Sequence, residues 1–135
     1  MVSRLAKMAE PDPVVLLVDD ERRILSALER TLRREGYVIK TAESAAGALA
    51  ILEAQRVDVV VSDYKLAGAS GTDLLARVRR RWPDTRRLLL SGWSHDIPAA
   101  ELSAAAPDGV HAKPWDDGEL KAALRKLLRG GRGGR

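Results

Sequence analysis

The sequence predicts an α/β fold in which a doubly wound parallel sheet of five strands is covered on both faces by five helices. Two patterns carry this prediction. Runs of β-branched and aliphatic residues alternate along the chain with segments in which leucines recur at helical spacing, and such alternation is typical of right-handed β-α-β units. The apolar runs are also continuous, as expected for strands that are buried on both faces of a parallel sheet.

The first strand is predicted at residues 14–18, where Val-Val-Leu-Leu-Val forms an uninterrupted apolar run. Four further short apolar runs predict the remaining strands, at residues 37–40, 57–61, 87–90 and 109–112. In open parallel sheets, ligands bind outside the carboxyl ends of the strands. The residues that follow these five runs are therefore the first candidates for a functional site.

Five helical segments lie between and after the strands. The first carries a leucine stripe and ends before Gly36. Ser44 can cap the second helix, and the third stops before Pro83, because the residue that precedes a proline disfavours helical geometry. An alanine-rich fourth helix is predicted at residues 98–106, and a fifth helix with a leucine stripe begins near Asp116.

The length of 135 residues fits one domain. We predict this domain at residues 14–129, between a flexible leader at residues 1–13 and a flexible basic tail at residues 130–135. The absence of cysteine excludes disulfide scaffolds and thiol nucleophiles and is consistent with a reducing compartment. No secretory signal is present, and no apolar run approaches the ~20 residues of a transmembrane helix. We therefore expect a cytoplasmic protein without a membrane segment.

The basic charge is concentrated at the end of the chain. The formal net charge is +4, and the segment from Arg125 onward contains basic residues but no acid. This tail lacks aromatic residues on which bases could stack, so we favour a solubilising tail over a nucleic-acid-binding arm. A cluster of arginines near the third helix is interpreted as a solvated face, and it consists of Arg77, Arg79, Arg80, Arg81, Arg86 and Arg87.

Polar side chains follow four of the predicted strands. Asp19 and Asp20 come after the first strand, Asp63 after the third, Ser91 after the fourth and Lys113 after the fifth. The three carboxylates would repel one another in a shared crevice unless a cation or partial protonation relieved them. Oxygen ligands with an open face suit Mg²⁺, which binds proteins through one or two carboxylates together with a phosphate group.

Each of these residues also has a simpler interpretation. Aspartates after a strand often cap the following helix. The pair Ser91 and Gly92 could form a turn, Lys113 could be a solvated lysine, and Asp63 could be a loop acid. The joint arrangement at successive strand ends is what favours a site.

The chain resembles the receiver domain of two-component response regulators, and specifically the single-domain, chemotaxis-type receivers. Four motifs in the expected order carry the resemblance, and they lie at residues 15–21, 59–66 with Gly68 and Gly71 following, 89–92 and 113–115. The resemblance covers about residues 14–129 and implies the flavodoxin-like receiver fold.

The resemblance also implies a role for each strand-end residue. Asp63 matches the phosphoacceptor, Ser91 the switch hydroxyl and Lys113 the lysine of the family pattern. The implied Mg²⁺ ligands are Asp20, Asp63 and the backbone carbonyl of Lys65, with Asp19 helping through a water molecule. A carboxylate that attacks a phosphoryl group needs the charge of both groups offset, which Mg²⁺ and a lysine can do.

The partners are likewise implied by the resemblance. The phosphodonor would be a phosphohistidine on a sensor histidine kinase or a phosphotransfer protein. We expect no room for an output domain, so the receiver would signal by altered binding of a downstream protein to the face of the fourth helix, fifth strand and fifth helix, which is also the usual homodimer surface. We expect it to catalyse its own phosphorylation and dephosphorylation without being a turnover enzyme.

Two alternatives remain open. The first is a receiver-like binding module that acts without phosphorylation. The second is a Mg²⁺-dependent hydrolase with Asp63 as nucleophile, which we rank last because such an enzyme would want a second acid where Lys65 stands.

Four further positions affect what the family pattern implies here. Ala67 replaces a usual proline, and Val110 replaces the Tyr or Phe that usually reports phosphorylation, so we expect a smaller rearrangement on phosphorylation than is usual. Trp93 could shield the phosphoryl group from water and slow its loss, or could simply cover apolar surface. Pro114 fits the cis peptide bond that receivers have after the lysine, although X-Pro bonds in general favour trans.

Overall fold

The computed structural model describes residues 11–92 and 96–129. The predicted leader lies mostly outside these residues, and the predicted basic tail lies entirely outside them. Within the described residues the main sheet has five strands: β1 (Val14–Val18), β2 (Val38–Ala42), β3 (Val59–Asp63), β4 (Arg86–Gly92) and β5 (Gly109–Lys113).

All neighbouring strands of this sheet are parallel, in the order β2-β1-β3-β4-β5. The predicted fold class is therefore confirmed. Four strands extend one or two residues beyond their predicted ends, because the hydrogen-bonded register continues past the apolar runs. Asp63 pairs with Leu90, and Ser91 pairs with Ala112. The candidate site residues Asp63, Ser91 and Lys113 thus lie within their strands, where the sheet fixes their backbones.

Five helices alternate with the strands: α1 (Arg22–Leu32), α2 (Ala45–Ala54), α3 (Gly71–Arg81), α4 (Ala99–Ala105) and α5 (Asp117–Arg129). The predicted cap of α2 is present, since the amide of Gly47 donates to Ser44 Oγ at 3.0 Å. The helix α3 ends before Pro83, as predicted. No helix in the described part of the chain is long and apolar enough to cross a membrane.

The sheet separates two apolar cores, and β1 contributes alternate residues to each. Leu16 packs in the core beneath α2, α3 and α4, whereas Leu17 packs in the core beneath α1 and α5. Both side chains are completely buried. This double burial explains why the strand is apolar at every position instead of every second one.

The chain after β3 forms a short hairpin before α3 begins. Residues Lys65–Leu66 and Ala69–Ser70 pair as a two-residue antiparallel hairpin. Gly68 has a positive φ of 75° at its tip, a conformation that favours glycine. The hairpin directly precedes α3 and places the backbone of residue 65 close to the end of β3.

The interpretation of the arginine cluster as a solvated face is wrong for Arg87, which is buried. Its guanidinium donates to the backbone carbonyls of Ala105 at 3.0 Å and Ala106 at 2.8 Å. Burial is tolerated because these carbonyls lie at the C-terminus of α4, where they need donors and attract positive charge. Burial lowers the pKa of Arg87 from its ordinary value.

Candidate functional site

Lys113 joins two aspartates from different strands at the carboxyl edge of the sheet. Its Nζ lies 2.8 Å from Asp19 Oδ2 and 3.0 Å from Asp63 Oδ2. Asp19 follows β1, Asp63 ends β3 and Lys113 ends β5. The parallel topology therefore brings together three side chains that are up to 94 residues apart in sequence.

Both carboxylates of this arrangement are buried, Asp19 completely and Asp63 with 4% of its surface exposed. Asp19 Oδ1 accepts a hydrogen bond from the amide of Glu21 at 2.8 Å, while Oδ2 takes the lysine. Asp19 thus stabilises the turn before α1 and also orients Lys113, but it does not cap the helix, because the N-cap is Glu21 and has no side-chain cap hydrogen bond. Both of its oxygens are engaged by protein groups.

Asp63 is less well satisfied. Its Oδ2 contacts Lys113, but among the described residues its buried Oδ1 has no hydrogen-bond partner. Burial of a carboxylate oxygen without a partner is costly, so this atom needs a cation or a donor from outside the protein.

The electrostatics agree with this geometry. Burial raises the pKa of Asp63, and the nearby charge of Asp19 adds to the rise, while Lys113 partly offsets it. Burial alone would lower the pKa of Lys113, but its hydrogen bonds to Asp19 and Asp63 outweigh that effect and the pKa is raised. The lysine is therefore positively charged and contacts both carboxylates.

An open cavity of about 410 Å³ lies above Asp63 and Lys113. Its lining consists of Asp20, Glu21, Asp63, Lys65, Gly92 and Lys113. The predicted ligand positions Asp20, Asp63 and Lys65 thus share one cavity. Glu21 and Gly92 also line it, although our sequence reasoning did not select them; both are sequence neighbours of residues that it did select.

The donor set of this cavity fits a hard divalent cation. Carboxylate oxygens of Asp19, Asp20 and Glu21 lie within 4.8 Å of one another. The buried Asp63 Oδ1 supplies a further oxygen that lacks a partner among the described residues. Oxygen-only donors beside an open cavity are the environment that Mg²⁺ prefers.

Ser91 is oriented differently from the other predicted residues. It lies on β4 with 9% of its surface exposed, and its hydroxyl donates to the backbone carbonyl of Gly92 at 3.3 Å. It is not part of the cavity lining.

Two further expectations concern Trp93 and Pro114. Trp93, which we expected either to shield the site or to cover apolar surface, lies outside the described residues. The Lys113–Pro114 peptide bond is cis, as the resemblance implied.

One polar cluster near the site was not predicted at all. Glu101 Oε1 on α4 accepts hydrogen bonds from the hydroxyl of Tyr64 at 2.9 Å and from Thr72 Oγ1 at 2.8 Å. Tyr64 directly follows Asp63 in the chain. No sequence signal marks such a contact, because the partners lie in different elements with no periodic relation to one another.

Comparisons with known proteins agree with the fold. The family model for the response regulator receiver domain matches residues 15–125. The hydrogenase transcriptional regulatory protein HoxA of Cupriavidus necator is 38% identical over 123 residues, which are 90% of this chain and 25% of HoxA. The chain spans 61% of the acid tolerance regulatory protein ActR of Rhizobium meliloti, to which it is 31% identical.

Solved structures with the same fold include two receivers of particular interest. The signal receiver domain of an HD domain-containing protein from Pseudomonas fluorescens Pf-5 has a TM-score of 0.80 and 35% identity, over 87% of this chain and 95% of that one. The response regulator TrrA of Thermotoga maritima, solved in complex with Mg²⁺ and BeF, has a TM-score of 0.77 and 32% identity, over 85% and 98% of the two chains. The chain therefore belongs to the response regulator receiver domain family.

Proposed function

We propose that this chain is a phosphorylatable receiver, in which Asp63 accepts a phosphoryl group from a phosphohistidine of a sensor histidine kinase or a phosphotransfer protein. The phosphorylated form then signals through altered binding of a partner. The observation that carries the proposal is the contact of Lys113 Nζ with both Asp19 and Asp63, beside a cavity into which a phosphoryl group can enter. The chain acts as a signalling module in the cytoplasm and turns over no small-molecule substrate.

In the proposed reaction the Asp63 carboxylate forms a new P–O bond as the N–P bond of the phosphohistidine breaks. The bonding electron pair stays on the imidazole nitrogen, which takes up a proton from water. The carboxylate and the phosphoryl group are both negative, so charge neutralisation is the main contribution that the protein must make. Lys113 is suited to this role because its ammonium already lies 3.0 Å from Asp63 Oδ2.

Asp20, Asp63 and the backbone carbonyl of Lys65 are the groups that would hold Mg²⁺, since all three residues line the cavity. The ion would supply positive charge between the acceptor and the phosphoryl oxygens. Asp19 has both oxygens engaged by Glu21 and Lys113, so any contribution through a water molecule is secondary to its hold on Lys113.

Ser91 is the proposed hydroxyl switch. Its Oγ donates to Gly92 O at 3.3 Å, and a charged acceptor such as a phosphoryl oxygen would form a stronger hydrogen bond with it. Rotation of this hydroxyl toward the cavity would transmit the presence of the phosphoryl group to the chain that follows β4.

The proposed surface for downstream binding or homodimerisation is the face formed by α4, β5 and α5. The strand β5 is an edge of the sheet and exposes Val110, with 51% of its surface accessible. An exposed apolar residue on an open edge strand is a suitable contact for a protein partner. HoxA and ActR, whose names describe them as regulatory proteins, are both longer than this chain.

The decisive test is incubation with acetyl phosphate and Mg²⁺ followed by intact mass spectrometry. We expect one phosphoryl adduct in the wild type and none in Asp63→Asn. Asp84→Asn, at an exposed aspartate outside the cavity, is the matched control and should retain the adduct. An adduct that persists in Asp63→Asn would move the acceptor to another residue.

A binding module that acts without phosphorylation is the second candidate. The exposed Val110, at the place where receivers usually carry an aromatic reporter, is the observation that favours it. Absence of an adduct in the wild type, with Mg²⁺ and acetyl phosphate both in excess, would favour this alternative.

A further inference from the structure

The chain that leaves β5 is attached to α1 at two separate points. At the first, Lys113 Nζ lies 2.8 Å from Asp19 Oδ2, and Asp19 comes shortly before the start of α1. At the second, Trp115 Nε1 donates to Thr31 Oγ1 at 3.1 Å, and Thr31 is the penultimate residue of α1. Because an α-helix rises about 1.5 Å per residue, the two points lie near opposite ends of a helix about 16 Å long. A single residue separates Lys113 from Trp115, so both attachments act on one short segment of backbone.

The second attachment is a closed set of three hydrogen-bonding groups, which we call the indole clamp. It consists of Trp115, Thr31 and Asp117. The indole Nε1 lies 3.0 Å from Asp117 Oδ1 as well as 3.1 Å from Thr31 Oγ1, and the threonine hydroxyl lies 2.9 Å from the same carboxylate oxygen. Asp117 is the first residue of α5. The clamp therefore joins the end of β5 to α1 and α5.

Packing alone does not fix this segment against α1, because a cavity of about 590 Å³ lies between them. Ile24 and Ala27 line the cavity from α1, while Lys113 and Pro114 line it from the other side. Side chains that border a cavity lack neighbouring atoms on that side and gain no packing energy there. The hydrogen bonds of the indole clamp therefore supply a restraint that packing does not.

The sheet restrains Lys113 from one side only. It is the last residue of β5, which is an edge strand, and it pairs with Gly92 of β4. The direction of the backbone beyond this pair depends on the residues that follow. The ammonium must nevertheless lie close to two acids at once, 2.8 Å from Asp19 Oδ2 and 3.0 Å from Asp63 Oδ2. A rotation of the segment would lengthen at least one of these contacts.

We propose that the indole clamp is a positioning unit that holds the Lys113 ammonium between Asp19 and Asp63. None of its three residues lines the cavity above Asp63, so the clamp acts through Lys113 and not on the reacting atoms. The inference rests on the proposed function, because it names residues that prepare the same site for phosphoryl transfer.

Displacement of the ammonium has a predictable effect. Coulomb energy falls in inverse proportion to separation, so an ammonium moved from 3.0 Å to about 6 Å from Asp63 Oδ2 keeps about half of this interaction. The hydrogen bond is then lost altogether, because it requires a distance of about 3 Å. Misplacement of a catalytic group by about 1 Å can slow a reaction by as much as about 100-fold.

The first measurement is the energetic coupling between Lys113 and Asp63. Urea denaturation of the wild type, Lys113→Met, Asp63→Asn and the double variant gives this coupling. The same four chains are then made in a Thr31→Val background, which removes the hydroxyl of the clamp and keeps the shape of the side chain. We expect the coupling to fall by about half or more. A Trp115→Phe background lacks the Nε1 donor and repeats the measurement independently.

This coupling distinguishes positioning from a merely structural role. A clamp that only stabilises the fold would lower the stability of all four chains equally and leave the coupling unchanged. Thr31→Ser keeps the hydroxyl and should preserve the coupling. Trp82→Phe is the matched control for the loss of an indole, because Trp82 packs against the opposite core.

The second measurement is the rate at which acetyl phosphate and Mg²⁺ phosphorylate the chain, followed by intact mass. We expect Thr31→Val and Trp115→Phe to be slowed from a few-fold up to about 100-fold. Thr31→Ser and Trp82→Phe should react at about the rate of the wild type.

The combined results decide between the possibilities. Reduced coupling together with a reduced rate supports the clamp. Unchanged coupling overturns it, whatever the stability of the variants, and reduced coupling with an unchanged rate overturns its role in phosphoryl transfer. A wild type that takes up no phosphoryl group overturns the proposed function, while the coupling still decides whether the clamp positions Lys113.

Discussion

The backbone of Gly71 packs directly against the carbonyl of Asp63, so that a β-carbon at residue 71 would lie 2.1 Å from Asp63 O. The neighbouring backbone cannot yield easily, because the amide of Gly71 also donates to Tyr64 O at 2.6 Å. The requirement for glycine at this position is therefore steric and is imposed by the strand that carries the candidate acceptor.

We expect Gly71→Ala to destabilise the fold by about 1–3 kcal/mol, the usual cost of overpacking, and to reduce phosphorylation of Asp63. Urea denaturation and intact mass measure the two effects. Gly118→Ala is the control, because its β-carbon would meet only the flexible end of Asp116 at 3.3 Å and alanine favours the helix. Equal stability of both variants would contradict the steric argument.

Lys113→Met should destabilise the chain by about 1.5–3 kcal/mol, the range for hydrogen bonds to charged groups, because Asp19 and Asp63 lose their common cation. The loss should be smaller in an Asp63→Asn background, where only the contact with Asp19 remains to be broken. Urea denaturation of the four chains gives the coupling between the two residues. A cost that is the same in both backgrounds would show that Lys113 does not interact energetically with Asp63.

Mg²⁺ should raise the thermal midpoint of the wild type, since it would relieve the crowded carboxylates and supply a partner for Asp63 Oδ1. A free concentration ten times the dissociation constant stabilises by about 1.4 kcal/mol. Asp20→Asn should lose most of this effect, whereas Glu43→Gln, which lies outside the cavity, should keep it. The same thermal midpoint before and after removal of the ion with a chelator would argue against the site.

The ion pair of Glu35 and Arg125 predicts a dependence of stability on pH. Hydrogen bonds from Arg125 lower the pKa of Glu35 below its ordinary value of 4.5, although burial works in the opposite direction. The pair therefore stabilises the fold above that value, and the stabilisation is lost as the pH falls through the lowered pKa.

We accordingly expect Glu35→Gln to be less stable than the wild type at neutral pH and to approach it in acid. Urea denaturation over the acidic range follows the difference. Glu29→Gln removes the same charge from an exposed position of α1, the helix that precedes Glu35, and should show no such convergence.

Tyr64 offers a spectroscopic test of its contact with Glu101. The hydrogen bond to that carboxylate raises the pKa of Tyr64 above 10.0, with burial and the nearby negative charge as further causes. Glu101→Gln removes the charge and should lower the pKa toward the ordinary value. An ultraviolet titration in a Tyr37→Phe background isolates Tyr64, and Glu119→Gln is the control for a general change in charge.

The fold was predictable from the sequence because the inner strands of a doubly covered parallel sheet are buried on both faces and form continuous apolar runs, as residues 14–18 illustrate. The grouping of Asp19, Asp63 and Lys113 was predictable as well, because the carboxyl ends of parallel strands meet at one edge of the sheet. The positions of the strand ends were predicted less accurately. The hydrogen bonds between strands do not depend on side-chain polarity, and they continue through Ser91 and Lys113.

Other features left no trace in the sequence pattern. The hairpin after Asp63 has strands of two residues, which are too short for any periodicity. Arg87 sits within a run of arginines and looks solvated, but helix carbonyls from a distant element compensate its burial. The contact of Tyr64 with Glu101 joins residues 37 positions apart, and only the packing of α4 on α3 brings them within reach.

The division of the interior by the sheet has a consequence for how this receiver can diverge. A substitution at Leu16 disturbs the packing of α2, α3 and α4, while one at Leu17 disturbs the packing of α1 and α5. Substitutions at adjacent residues thus affect opposite sides of the sheet. Adjacent residues of one strand can therefore be substituted with separate effects on the two helical layers.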